Sequence, residues 1–179
     1  MIAAKAVRRA ATEHVVTVIR LALGLEVRRA IPDDEWALLY EIALRERVAP
    51  LVWLRSGPWI RSAAPASVVT LWRSSVLASM DRTGRVLDAT HDCVAALRAA
   101  NVGAIVLKGA PLGQSLYDEP LARPIDDIDL FIPAGERRIA RWRLMATGWT
   151  HVAGEAPWHE SFERDNGREI IVLELHSQL

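Results

Sequence analysis

One cysteine, Cys93, is all that the chain of 179 residues contains. An internal disulfide is thereby excluded, and so is a metal site built from several thiolates. In a helical setting a single thiol reads as a small buried hydrophobe. No apolar run approaches the roughly 18–20 residues that a bilayer-spanning helix needs. The Ala- and Arg-rich start, MIAAKAVRRAATEHVV, lacks the compact hydrophobic segment and cleavage site of a secretory leader. A cytoplasmic location with no membrane partner is the expectation. Excess charge is missing too: 22 basic and 22 acidic residues give a formal net charge of +0. That balance removes generic attraction to nucleic acid or anionic lipid and leaves one local basic cluster, Arg137, Arg138, Arg141 and Arg143. Internal repeats and low-complexity tracts are absent as well. What is present is an ordinary globular mixture, 51% hydrophobic and 25% charged, enough for one domain with a small helical appendage.

The first hundred residues read as helices. Val7, Ala11, Val15, Val18 and Leu21 or Ala22 follow the helical period over residues 3–23, with Gly24 as a stop. Asp33 or Asp34 caps a second helix running to about Arg47, with Trp36, Leu39, Ile42, Ala43 and Leu44 as its apolar content. A short buried helix follows Pro50 and ends near Gly57-Pro58. Residues 65–100 then form one long helix, or two broken near Gly84, with Pro65 at the start where its missing N–H costs nothing. Most of the seven tryptophans mark core or groove-lining positions.

From Ala104 the pattern changes. Ala104-Ile105-Val106-Leu107 reads as a buried strand ending in a tight turn at Lys108-Gly109, followed by a helix over Ala110–Tyr117 with Leu112 and Leu116 on one face. After a polar loop, Asp118 to Pro124, comes a second strand, Asp127-Ile128-Asp129-Leu130-Phe131-Ile132. A further helix runs from Pro133-Ala134 to about Ala146, with Ile139, Trp142 and Leu144 or Met145 facing inward and the arginines outward. Extended segments at Trp149 to Ala153, His159 to Asp165 and Arg168 to His176 complete the chain, the last two joined by an Asn166-Gly167 turn. The nearly continuous apolar run Ile170 to Leu175 suggests a central strand buried on both faces, interrupted by Glu174.

Strand alternation puts Asp127 and Asp129 on one face. Two neighbouring carboxylates resist being ionised together, and a divalent cation removes the conflict. Mg²⁺ is usually held by one or two carboxylates plus substrate phosphates, and two such ions clamp the attacking and leaving oxygens of an in-line displacement. The plainer alternative is a solvated sheet face. Glu174 is costly in its apolar run unless paired, for instance with Arg168, or metal-bound.

The ordered set Leu107-Lys108-Gly109, a helix with a tyrosine, Arg123-Pro124, Asp127-Ile128-Asp129-Leu130 and Leu173-Glu174-Leu175-His176 resembles the uncharacterised nucleotidyltransferase family of the polymerase-β-like superfamily. The resemblance is best over Leu97 to Leu179. It implies an α+β fold, with a helical region at 1–100 and a nucleotidyltransferase core, a small mixed sheet flanked by helices, at 101–179. It also implies a core shortened at its C-terminal end, because relatives continue with a further helical region.

By that resemblance Asp127, Asp129 and Glu174 are the metal-binding and catalytic acids for two Mg²⁺ ions, with Glu174 helping to deprotonate the attacking hydroxyl. The backbone at Gly109 and Ala110 receives phosphate oxygens of an NTP. Lys108 approaches the triphosphate or is a solvated strand-end lysine. Arg123 neutralises developing charge or pairs with Asp118, Glu119 or Asp126. Asp126 points away from Asp127. His176, on the face of Glu174, touches substrate or is structural, and His159 on the facing strand carries the same two readings. Ala110 departs from the superfamily, which has serine or a second glycine after the turn glycine. The implied activity moves a nucleoside monophosphate from an NTP to an acceptor: a small molecule, a protein or an RNA end. The alternative is a non-catalytic nucleotide- or partner-binding module, with a partner subunit completing the site. Phosphate-ester hydrolysis has less support, because the sequence shows no additional His/Asp metal cluster.

Overall fold

The structure, a computed structural model, describes residues 2–27, 30–156 and 159–178, without the side chains of residues 2–11 and 153–156. Val7 and Ala11, expected on the buried face of the first helix, therefore lie outside the described side chains. The fold is α+β: helices α1 (Ile2–Ala22), α2 (Glu35–Arg45), α3 (Ala49–Ala63), α4 (Ala66–Ala99), α5 (Gly109–Leu116) and α6 (Arg137–Ala146) accompany a five-stranded sheet. Its strands are β1 (Ile105–Val106), β2 (Asp127–Phe131), β3 (Thr150–Ala156), β4 (His159–Asp165) and β5 (Ile170–His176). Two compact units divide the chain. One runs from the start to Met80 and includes Ala122–Pro124, and the other comprises Asp81–Leu121 and Ile125–Leu179. Among the described residues no helix is long and apolar enough to cross a membrane.

The first unit closes around Val18, Leu21, Trp36, Leu39, Ile60 and Trp72, all nearly inaccessible. Gly24 ends α1 with φ +67°, a left-handed conformation that costs glycine little. Ser56 Oγ donates to the Leu21 carbonyl at 2.7 Å, satisfying one of the acceptors left open at the end of α1. Helix α3 does not end at Gly57-Pro58 as expected but runs through Pro58 to Ala63. Proline removes the bond to the Leu54 carbonyl. Leu54 lies on the exposed side, where water can take that role. Beyond the proline, burial of Ile60 and the contact of the Trp59 ring with Trp36, centroids 5.3 Å apart, hold the final turn.

Helix α4 is unbroken at Gly84. A β-carbon at Gly84 would meet only Leu121 Cδ2, at an ordinary 3.9 Å. Gly84→Ala is therefore expected to stabilise the protein by about 0.5–1 kcal/mol through the lost backbone entropy of glycine. The check is a higher urea midpoint with an unchanged slope.

In the second unit the strand order is β1-β2-β5-β4-β3. Strands β2 and β5 pair in parallel, and the other neighbours are antiparallel. One sheet face packs on Val86, Ala89, Cys93 and Leu97 of α4 and on Ala140 and Leu144 of α6; Ile128, Leu130, Phe162, Leu173 and Leu175 point into this core. Burial pushes the Cys93 thiol up to about 12. The opposite face is half-exposed. It carries Val172, Glu174 and His176 between the buried residues Ile171, Leu173 and Leu175, so β5 is central but not buried on both faces as expected. It starts at Ile170 rather than Arg168, because Asn166 uses its side-chain oxygen to cap the turn, accepting from the amides of Arg168 and Glu169. Strand β1 is also a correction. It is a two-residue edge strand with Ile105 60% exposed, since only β2 flanks it.

Helix α6 faces the sheet differently from expectation. Ile139, Trp142 and Met145 are exposed, while Ala140 and Leu144 are buried. The reason is Glu160, buried on the core face of β4 at 3% exposure. Its carboxylate accepts from Arg137 Nε and Nη2 at 3.0 and 2.7 Å. It also accepts from Arg141 Nε and Nη2 at 2.7 and 2.9 Å. Rotating the apolar stripe inward would strand that charge, which costs more than leaving Trp142 in water. The half-buried Arg137 and the exposed Arg141 are thus committed to Glu160 rather than parts of a free basic patch.

Candidate active site

The half-exposed face of the second unit gathers the polar residues of four chain segments. Parallel register sets Asp129 beside Glu174, Asp127 beside Val172 and Phe131 beside His176. On the other side of β5, antiparallel register sets Ser161 beside Glu174 and His159 beside His176. Because alternate residues share a face, Asp127 and Asp129 meet Glu174, His176 and His159 on one surface. Asp127 is exposed, Asp129 is 4% exposed, and Glu174 lies between.

Lys108 reaches into this group from the end of β1. Its Nζ lies 2.6 Å from Asp129 Oδ1 and 3.8 Å from Glu174 Oε2. The hydrogen bond to Asp129, outweighing partial burial, holds the ammonium above its ordinary value, with Glu174 and Asp127 adding to the effect. The backbone of Lys108 is left-handed, φ +49° and ψ −103°, a sparsely populated conformation for a residue with a β-carbon that costs about 1–3 kcal/mol. The bond from the Leu107 amide to the Asp129 carbonyl at 2.9 Å ties the segment to β2 just before the turn.

Immediately after that turn α5 begins with Gly109, Ala110 and Pro111. The first amides of a helix have no partner within it, and Pro111 has no N–H, so Gly109 and Ala110 supply the unpaired donors of this helix start. The Ala110 methyl is buried in the sheet core. The departure from serine or glycine is accommodated by packing and leaves the amide donors in place.

His176 Nε2 lies 3.1 Å from Asp129 Oδ1 and 3.5 Å from Glu174 Oε2. The His159 ring stacks on His176, centroids 5.1 Å apart and planes within 9°. Its Nε2 is 3.7 Å from Glu174 Oε2. The Glu174 partners are therefore Lys108 and two histidines rather than Arg168. His159, Glu174 and His176 each offer one ligand atom, and these atoms lie within 4.8 Å of one another. Sequence reading saw no His-containing metal cluster because its members come from two strands whose register only the hairpin fixes. Asp126 turns away as expected, toward Arg82 Nε at 3.5 Å. Arg123 belongs to the Ala122–Pro124 segment of the first unit and is half-buried there.

Chemically, this surface collects anionic oxygens around one ammonium. The carboxylates of Asp129 and Glu174 stand in adjacent register with Asp127 on the same face, and Lys108 supplies one positive charge to Asp129 and Glu174. The donor set suits a divalent ion that prefers oxygen. The helix start at Gly109 offers amide donors to an anion.

The sequence model of a family described as uncharacterised nucleotidyltransferase matches residues 32–179. The match reaches beyond the Leu97–Leu179 stretch that carried the resemblance and takes in α2 and α3. No curated protein and no solved structure gives a match. With most of its length covered, and with the Asp-x-Asp strand and Glu174 in adjacent register, the chain belongs to the uncharacterised nucleotidyltransferase family.

Proposed function

We propose that the second unit transfers a nucleoside monophosphate from an NTP to an acceptor hydroxyl and releases pyrophosphate, with Asp127, Asp129 and Glu174 holding two Mg²⁺ ions. The observation that carries this reading is the register of Asp129 against Glu174, with Asp127 on the same face. When bound, the ions supply charge neutralisation at the triphosphate and lower the proton affinity of the attacking oxygen.

The chain's own groups do the rest. Glu174, half-exposed beside Asp129, accepts the proton of the attacking hydroxyl as that oxygen bonds to the α-phosphorus and the bond to the β-phosphate oxygen breaks. The amides of Gly109 and Ala110 receive phosphate oxygens at the start of α5. Lys108 moves its ammonium from Asp129 to the triphosphate, keeping a carboxylate or phosphate partner throughout. His176 borders the acceptor side of Glu174. Catalysis here is positioning and electrostatic stabilisation, with no covalent protein intermediate. The acceptor is a small molecule, a protein group or an RNA end.

Calorimetric titration with ATP, GTP, CTP and UTP, each with and without Mg²⁺, tests this. Mg²⁺-dependent binding of at least one NTP, lost in Asp127→Asn/Asp129→Asn, is the expected outcome. A folded protein that binds none of the four would instead be a module that keeps the fold without turnover.

A further inference from the structure

Glu174 divides the half-exposed face into two chemically different halves. Toward β2 its neighbours are carboxylate oxygens and the Lys108 ammonium. Toward β4 they are imidazole nitrogens, His176 Nε2 at 3.5 Å and His159 Nε2 at 3.7 Å from the same Glu174 Oε2. Ligands about 2.1 Å from one tetrahedral ion stand roughly 3.4 Å from each other. The Glu174–histidine separations are close to that edge, and all three ligand atoms fall within 4.8 Å.

The two rings are stacked at 9°, so they present the same ring nitrogen to the same oxygen from adjacent strands. His159 Nε2 is buried and has no hydrogen-bond partner. A buried polar atom left unsatisfied costs about 1–3 kcal/mol. An ion at this point gives the nitrogen a partner.

We propose that His159, Glu174 and His176 form a binding site for a first-row transition ion of the Zn²⁺ class. Two imidazoles and one carboxylate suit a borderline-soft ion and disfavour Mg²⁺, which takes oxygen ligands. Three protein ligands leave a position open. The site shares Glu174 with the transfer centre and stands on its own geometry; it does not rest on nucleotide transfer.

The test uses the whole chain with Zn²⁺ alone by calorimetry and Co²⁺ alone by visible absorption, beside a separate titration with Mg²⁺ and NTP. Wild type is expected to bind one Zn²⁺ and to give the intense visible bands of low-coordinate Co²⁺. His159→Ala and the size-preserving His159→Gln should each weaken Zn²⁺ binding by at least about tenfold, since even an outer-shell partner costs 10–100-fold, and should lose the Co²⁺ bands. Asp127→Asn should keep both signals. A wild type without stoichiometric Zn²⁺ binding, or Zn²⁺ binding unchanged in a folded His159→Gln protein, would overturn the proposal. Loss of Mg²⁺-dependent NTP binding with the Zn²⁺ signal intact would count against the transfer reading and leave this site standing.

Discussion

Asp129→Asn is expected to lower pyrophosphate release from the preferred NTP by about 10³-fold while leaving the protein folded. Asp129 is the one carboxylate of the three that is buried, and it touches Lys108 at 2.6 Å and His176 at 3.1 Å. A metal-held phosphoryl oxygen is worth several kcal/mol of transition-state stabilisation, and about 4 kcal/mol corresponds to the thousandfold loss. Asparagine keeps the shape and one acceptor oxygen, so Lys108 retains a hydrogen bond, weakened by the lost charge. Removal of the negative charge beside Glu174 offsets part of that loss. The net change in stability should stay within about 1 kcal/mol. Turnover and urea midpoint, measured on the same sample, separate the two effects. Turnover within tenfold of wild type would remove Asp129 from the reaction.

The largest effect on stability is expected at Arg137 and Arg141. Replacing both with methionine leaves the buried Glu160 carboxylate without a guanidinium partner, with His151 Nε2 at 3.3 Å as its remaining polar neighbour. Breaking a buried ion pair from one side costs about 3–5 kcal/mol. Methionine preserves most of the aliphatic stem, so the loss is electrostatic rather than a cavity. The pH dependence gives an independent check. Burial alone would raise the Glu160 carboxyl, but hydrogen bonds from Arg141 and Arg137 outweigh it and hold the group below its ordinary 4.5.

A depressed folded value means that Glu160 adds stability above pH 4.5, and that this contribution disappears as pH falls through the folded value. In the double variant the guanidinium hydrogen bonds that oppose burial are gone and only His151 Nε2, 3.3 Å from Glu160 Oε2, remains beside the carboxylate, so the folded value rises. Protonation then relieves the buried charge, so the variant should recover stability between pH 7 and 5, where wild type shows no such gain from this group. Urea unfolding at several pH values reads both slopes. A loss below 1 kcal/mol at pH 7 would mean that Glu160 is solvated.

How much of this was legible in the chain depends on the range of the interaction that decides each residue. The Asp127 and Asp129 pair could be read directly, because strand alternation is local and puts both on one face. Glu174 stood out as a charge in an apolar run, and the parallel register later set it against Asp129. His159 was placed on the strand facing His176, but its stacking on that ring and its distance to Glu174 depend on the exact hairpin register. The face of α6 was misread for a related reason. Arginine is usually solvated, and Glu160, the residue that draws Arg137 and Arg141 inward, lies 23 and 19 positions away. Pro58 was read as a break from intrinsic propensity, which tertiary packing overrides, and the choice left open at Gly84 falls to one continuous helix. Edge status decided Ile105, and edge status is a property of the sheet order, not of the strand.

That sheet order also dictates a sequence of events. The β4–β5 hairpin closes over a four-residue turn, whereas β2 meets β5 only across α6, β3 and β4, a connection of the kind that parallel strands require. Local pairings form quickly and distant ones slowly. His159, Glu174 and His176 all belong to this one local hairpin, whereas Asp127, Asp129 and Lys108 join them only through long-range pairing. A ligand needing all three acids therefore bridges segments distant in the chain and reports on the whole unit, while one needing only the two histidines and Glu174 clamps a single hairpin.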